Sequence, residues 1–254
     1  ESETMDMVAM NVIQGTAGSQ FAKANTQYLI YQMPFIFEST DEFQQVLDSA
    51  FEKKIQDGAI ANGFYIPTTG IAGGFRQITN NVRPIETVAD VAGLKLRVPP
   101  LTPVVRTIEA LGANPTEVSY NETYMALSTG VVDGQENPAA HIFTSRFFEV
   151  QKYISLTAHT YSAEPLLVAM GVWSKLPGNH QKAIQEAANE ARDWQRDLCR
   201  QLENQYWDKI RESGKSEIND DVDKAAFMEA TKPVWAMFEE KLGKQNIEAI
   251  VNVK

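Results

Sequence analysis

The sequence predicts an α/β protein built in two lobes, and three observations carry that prediction. Short apolar strands alternate with helical stretches through the middle of the chain, the rhythm of βαβ units and a largely parallel sheet. From Leu176 to Glu212 nothing after Pro177-Gly178 interrupts a helix until Gly214, giving a helix on the order of 50 Å long. That exceeds the width of one small domain. No linker or low-complexity tract separates these regions, so two lobes spanned by such a helix must be joined by more than one crossing of the chain.

The elements follow in order. Met5 to Met10 reads as a strand, and Tyr31 to Phe37 as an extended apolar connection broken by Pro34. Residues 40–57 form an amphipathic helix. Ser39 and Glu42 have capping-box spacing, Phe43, Val46, Leu47, Ala50, Phe51 and Ile55 recur at helical period, and Gly58 ends it. Gly63 to Ile66 suits a strand, and Gly70, Gly73 and Gly74 mark a flexible passage into Phe75-Arg76-Gln77-Ile78. Leu94 to Pro99 is a short strand whose exit carries Arg97. Thr102-Pro103 starts a helix closed by Gly112. Val118 to Tyr120 is a strand, and Ser119 to Glu122 a capping box opening a helix that ends at Gly130. Val131-Val132 begin another strand, after which the turn dipeptides Asp133-Gly134 and Asn137-Pro138 present Gln135, Glu136 and Asn137 at a strand-to-loop junction. Open α/β sheets bind ligands at such junctions. In the long helix Ile184, Ala187, Ala191, Trp194, Leu198, Leu202, Tyr206 and Ile210 trace an apolar face. The C-terminal helix carries Phe227, Trp235, Phe238 and Leu242 and is broken or kinked near Pro233.

The 254 residues are 43% hydrophobic and 22% charged, the profile of a globular protein. The 23 Lys and Arg against 33 Asp and Glu give a net charge of −10, which argues against nucleic acid and anionic membrane surfaces as partners. A small anion remains compatible, because one or two arginines make a pocket locally positive. The single cysteine, Cys199, excludes an intramolecular disulfide, and His141, His159 and His180 lack metal-ligand spacing. No run reaches the ~18 apolar residues of a membrane span, and Glu1-Ser2-Glu3-Thr4 is acidic where a signal peptide is basic. No nucleophile–base pair, P-loop or G-x-G-x-x-G motif occurs, so neither a cofactor nor a metal is expected. An arginine and an asparagine on neighbouring strand ends suit a carboxylate, although on the residues alone an arginine after a strand is more often a surface or interdomain salt bridge.

Four blocks in one order carry a resemblance. They are Gly93-Leu94-Lys95-Leu96-Arg97-Val98-Pro99, Ala110 to Thr116, Glu122-Thr123-Tyr124-Met125-Ala126-Leu127 running into Thr129 to Pro138, and Glu149 to Tyr153 with Leu156-Thr157-Ala158-His159. From about Gly74 to Pro177 the chain closely resembles the solute-binding subunit of tripartite ATP-independent periplasmic (TRAP) transporters. The resemblance implies a two-lobed periplasmic-binding-protein-like fold that closes about a hinge on a small organic acid. It implies delivery to TRAP membrane permease subunits, a periplasmic location, a monomer and no enzymatic activity. It further implies one lobe of residues 1–73 with 163–202, a second of 74–162 with 203–254, and two missing strand–helix units ahead of the present N-terminus.

By the same resemblance Arg97 falls where the family holds the ligand carboxylate, Arg76 where it has a second pocket arginine, and Asn137 where it has a pocket amide. Tyr120 matches the aromatic against the ligand's apolar body, and His159 a polar contact to its far end. Each has a plain alternative: surface ion pairing for Arg76, an Asx-turn for Asn137, packing for Tyr120, a structural hydrogen bond for His159. Phe75, Tyr161 and Trp173 are packing residues that could border the cleft. Pro100 stands where sialic-acid binders of the family have asparagine, and Asn11 and Gln14 where they have charged residues. A smaller or more apolar carboxylate, aromatic acids included, is therefore expected. The competing readings are an enzyme using His159 or Glu136 for acid–base work beside Arg97, and a ligand-sensing module.

Overall fold

The computed structural model describes residues 2–18 and 21–251. Nine strands form two sheets: β1 (Gly15–Ala17), β2 (Phe64–Ile71), β3 (Arg76–Asn80), β4 (Lys95–Val98), β5 (Asn114–Glu117), β6 (Gly134–Asn137), β7 (Tyr153–Thr160), β8 (Ala163–Ala169) and β9 (Glu217–Asn219). β1, β8 and β2 make an antiparallel three-stranded sheet. The other six strands run in the order β5-β4-β6-β3-β7-β9. The chain passes between the sheets from β2 to β3 and again from β7 to β8. These crossings lie side by side: the Ala72 amide donates to the Ser162 carbonyl at 2.9 Å, and Phe75 meets Tyr161 edge-on at 4.8 Å between ring centres.

The six-stranded sheet is mixed, which corrects the expectation of a largely parallel one. β4 is parallel to β5 and β6, as βαβ connections demand, and β7 is parallel to β9, which the chain reaches by way of β8 and the long helix. β3 enters from the other sheet and β7 returns to it, so the two run oppositely and pair antiparallel; β3 is antiparallel to β6 as well. Two apolar clusters lie against this sheet. One gathers Ile78, Leu96, Val98, Val104, Ile108 and Phe227, the other Ile142, Phe147, Ile154, Trp207 and Ile210. The three-stranded sheet has its own core around Tyr28, Tyr31, Phe43, Ile55 and Leu167, joined by Val234, Phe238, Leu242 and Ile250. The C-terminal segment thus packs against both bodies.

Several elements differ from expectation for identifiable reasons. Ser2–Ala9 is a helix, not a strand: Met5 and Val8, three apart, are buried, whereas a strand would align Met5 with Met7. A 3-10 helix over Thr26–Gln32 takes in the start of the apolar connection. The helix expected over 40–57 is two, Thr40–Leu47 and Ala50–Gly58, because Ser49 caps a fresh N-terminus through Phe51. Ser39 accepts from the Glu42 amide at 3.1 Å as its spacing implies, but Glu42 accepts from Glu38 and the box stays half made. β5 lies at Asn114–Glu117, not 118–120. It is an edge strand, where a polar run containing Pro115 is tolerated. Ser119 and Glu122 bond side chain to side chain at 2.5 Å without capping the backbone, and open a 3-10 turn ahead of the helix Thr123–Ser128.

The helix Gly178–Ser213 is present at 36 residues, on the order of 54 Å. Its predicted apolar face is not the buried one in the N-terminal half, where Ile184 and Trp194 are 37% and 66% exposed. That half lies on β2, an edge strand whose backbone groups need partners. Gln185 Nε2 donates to the Pro67 carbonyl at 2.6 Å, and Gln195 bridges the Ile71 amide and carbonyl at 3.2 and 2.6 Å. Arg196 donates to the Thr69 carbonyl at 2.8 Å and to Asp48 at 2.7 Å. Polar side chains face inward here because the surface they cover is a strand edge. Pro233 sits inside the continuous helix Lys224–Leu242 without breaking it.

Candidate functional site

β6 departs most from its sequence signal. Val131-Val132 were expected to form it, yet Val131 is exposed, Val132 is core, and the strand starts at Gly134. A β-carbon at Gly134 would stand 1.9 Å from the Thr79 carbonyl oxygen, so only glycine lets β6 approach β3. Gln135, Glu136 and Asn137 consequently lie in a wholly buried strand. Each meets a partner, as buried polar groups must: Gln135 Nε2 donates to Thr79 Oγ1 at 3.0 Å and Asn137 Nδ2 to Gln135 Oε1 at 2.5 Å.

Register brings the expected residues together. Arg76, the first residue of β3, neighbours Asn137, the last of β6, since Gln77 pairs with Asn137; Arg97 of β4 pairs with Gln135. A cleft of about 630 Å³ opens at this end of the sheet. Arg76, Arg97, Tyr120, Asn137 and His141 line it, with Glu164 of β8 opposite in the fold. Arg97 is only 2% exposed, its Nε donates to the Val118 carbonyl at 2.8 Å, and its guanidinium carbon lies 6.0 Å from the Tyr120 ring centre. Tyr120 is 39% exposed and bonds Ser145 Oγ at 2.6 Å.

Arg76 is held by Glu136. Its Nε and Nη2 grip the carboxylate, Nη2 at 2.7 Å from Oε1, and Nη2 also donates to the Glu136 carbonyl at 2.8 Å. Burial pushes the Glu136 carboxyl up, but the charge and hydrogen bonds of Arg76, with His159 behind, outweigh it and hold the group at about 2. His159 does not line the cleft: it is buried, with Nε2 3.5 Å from Glu136 Oε2 and Nδ1 2.8 Å from Thr157 Oγ1. Phe75 and Tyr161 belong to the crossing, and Trp173 stacks on Tyr65 at 3.8 Å.

His141 is the site residue that sequence reasoning missed. It lies one helical turn past Asn137, and its Nδ1 is 3.1 Å from Asn137 Oδ1. The signal was that i,i+4 spacing after the Pro138 turn; metal spacing was the wrong test for it. Burial, then repulsion from Arg76 and Arg97 against the pull of Glu136, lowers its value to about 4. It is therefore neutral near pH 7. Among the described residues no group of three or more His, Cys, Asp or Glu could hold a metal ion, and no helix is long and apolar enough to cross a membrane.

Residues 1–241 match the family model of bacterial extracellular solute-binding protein, family 7. A solute-binding protein of Chromohalobacter salexigens is 35% identical over 82% of this chain. The chain spans 62% of the length of that curated relative. A crystal structure of a TRAP periplasmic solute-binding protein from Polaromonas sp. JS666 bound to D-erythronate superposes with a TM-score of 0.95 at 31% identity, covering 100% of this chain and 84% of that one. One from Shewanella oneidensis with bound succinate gives 0.93 at 25% identity, covering 98% and 82%.

Proposed function

This chain belongs to bacterial extracellular solute-binding protein family 7, and from that footing we propose that it captures a small organic acid by its carboxylate and delivers it to a TRAP-type membrane permease outside the cytoplasm, in the periplasm. The observation that carries the reading is Arg97, a buried guanidinium opening on a cleft beside an amide and a neutral imidazole. A guanidinium stays charged when dehydrated and offers a carboxylate two parallel hydrogen bonds. Asn137 and His141 supply further hydrogen bonds, and the Tyr120 ring gives an apolar wall. Arg76 contributes a donor to the same pocket from within its pair with Glu136, and the buried His159 ring stands behind that pair, 3.5 Å from the carboxylate.

The two sheets act as two lobes, divided at the crossings near residues 73 and 162. The first comprises 1–73 with 163–202, the second 74–162 with the chain from 203 on, whose last helices bridge back. A carboxylate docks first on the second lobe, where both arginines and Asn137 lie. Closure about the paired crossings then brings up the first lobe and expels water, which strengthens each polar contact. The anion drives closure only by binding the closed state better than the open one. The enzyme reading finds neither of its acid–base groups on the cleft wall: Glu136 is taken up by Arg76, and His159 lies buried behind that pair.

Thermal-shift screening against a panel of carboxylates, on wild type and Arg97→Ala, tests the proposal. At 100 times the dissociation constant a ligand stabilises by ~2.7 kcal/mol, and that shift should vanish in the variant. A hit that persists undiminished in Arg97→Ala would move the site elsewhere.

A further inference from the structure

We infer that a buried relay of hydrogen bonds through the six-stranded sheet sets the tautomer of His141, so that this ring offers the cleft an acceptor at Nε2 and selects a ligand by a hydroxyl that donates to it. The ligand side of this rests on the proposed carboxylate capture; the state of the ring does not.

The relay starts at Gln151, whose Nε2 lies 3.0 Å from the Val150 carbonyl and 3.4 Å from that of Asp133. Carbonyl oxygens only accept, so Nε2 is fixed on that side and Oε1 faces the other way. Oε1 is 2.7 Å from Thr79 Oγ1, which gives it the one hydroxyl proton. Gln135 meets the same hydroxyl at 3.0 Å and has to present Nε2, since the hydroxyl has nothing left to donate. That turns Gln135 Oε1 towards Asn137, which answers with Nδ2 at 2.5 Å. Asn137 Oδ1 is left facing His141 Nδ1 at 3.1 Å, and only an N–H can meet it.

Gln151, Thr79, Gln135 and Asn137 are all at most 2% exposed, so water does not stand in for a link. Turning any one amide around would set like groups face to face on both of its sides. The polarity fixed by two backbone carbonyls is thus carried across β3 and β6 to the cleft wall. His141 lines that wall, with the Tyr120 ring edge-on to it at 5.5 Å between centres. Burial, with the charge of Arg76 close by, keeps the ring neutral near pH 7, and a neutral ring has one proton. With that proton on Nδ1, Nε2 keeps its lone pair. A ligand oxygen facing Nε2 must therefore carry a hydrogen; a carboxylate, ether or fluorine there would set acceptor against acceptor.

Nitrogen-15 NMR of the histidine rings in the ligand-free protein reads the tautomer, with the His141 signals assigned by their loss in His141→Asn. Nδ1–H is expected in wild type. Thr79→Ser keeps the hydroxyl and should keep that signature; Thr79→Val has neither its proton nor its lone pair and should release the ring towards Nε2–H. An Nε2–H ring in wild type overturns the inference, and that spectrum decides alone if Thr79→Val fails to fold. An unchanged Nδ1–H ring in a folded Thr79→Val removes the relay as its cause.

Calorimetric titration then compares lactate with 2-fluoropropionate and 3-hydroxypropionate with 3-fluoropropionate, together with any hydroxy acid from the carboxylate panel and its deoxyfluoro counterpart. Fluorine has nearly the size of the hydroxyl but cannot donate. In a pair that binds, the hydroxy acid should bind about tenfold tighter, and the gap should narrow in Thr79→Val, which changes no residue of the cleft wall. Binding confined to acids without a hydroxyl, or equal affinity within every binding pair, overturns the ligand side while leaving carboxylate capture intact. Silence from these acids and from the whole panel overturns the capture itself, and the tautomer stands as measured.

Discussion

Replacing Glu136 by glutamine tests whether the Arg76–Glu136 pair organises the cleft wall. The substitution keeps the side chain's size and one acceptor oxygen but deletes the charge that matches a guanidinium only 6% exposed. Removing one partner of a buried ion pair typically costs 3–5 kcal/mol, because the other charge stays desolvated. Here Arg76 keeps its 2.8 Å bond to the Glu136 carbonyl, so the low end, about 3 kcal/mol, is expected. For a chain of this size that lowers Tm by about 6–12 °C. The sign with pH follows from the same pair. Glu136 titrates at about 2 when folded against an ordinary 4.5, so its contribution is complete above 4.5 and is lost as pH falls from there towards 2. Thermal melts from pH 3 to 8 should show a shallower acid limb in Glu136→Gln than in wild type. A variant melting within about 2 °C of wild type at pH 7, with the same acid limb, would refute the assignment.

Three further outcomes follow from the geometry. Arg97→Lys keeps the charge but loses the planar fork, so carboxylate affinity by calorimetry should fall about 10–100-fold, and the ligand-free Tm should fall with it, since the buried Nε bond to the Val118 carbonyl is lost. Gly134→Ala forces a β-carbon against the Thr79 carbonyl at 1.9 Å; urea unfolding should show a loss of about 3 kcal/mol or more, with Gly130→Ala strained only by its φ of 70° and open space around it. His141 titrates at about 4 folded against 6.5 ordinarily, so the unfolded chain takes the proton first and stability declines as pH falls through that window. Between pH 7 and 5 the loss from this residue is roughly 2 kcal/mol, which His141→Asn should abolish; carboxylate affinity should stay level from pH 6 to 8.

Strands with apolar alternation, a helix with a cap and a long run without breakers were legible, as β4, the helix after Ser39 and the long helix show. Thr102, expected to cap its helix, is instead the first residue inside it, with Leu101 before it and no side-chain cap bond. What escaped was structure whose polar residues are satisfied by partners distant in sequence. β6 reads as a turn because Gly134-Gln135-Glu136-Asn137 has no apolar residue, yet Thr79, Arg76 and His141 answer every one of its side chains. The long helix turns Gln185 and Gln195 inward for the same reason, to complete an edge strand. Within the site, Arg76, Arg97, Tyr120 and Asn137 could be placed on one cleft from their motifs. That Arg76 is answered by its own Glu136, 60 residues away in sequence, could not be read from spacing, because antiparallel pairing of β3 with β6 alone creates it.

The most direct test of the central claim is a crystal structure of the protein with the best-binding acid from the carboxylate panel. The account predicts a closed cleft with both carboxylate oxygens about 2.7–2.9 Å from Arg97 nitrogens, Asn137 within hydrogen-bond reach and the Arg76–Glu136 pair unbroken. A ligand seated away from Arg97, or one held there by an uncharged group, would contradict it.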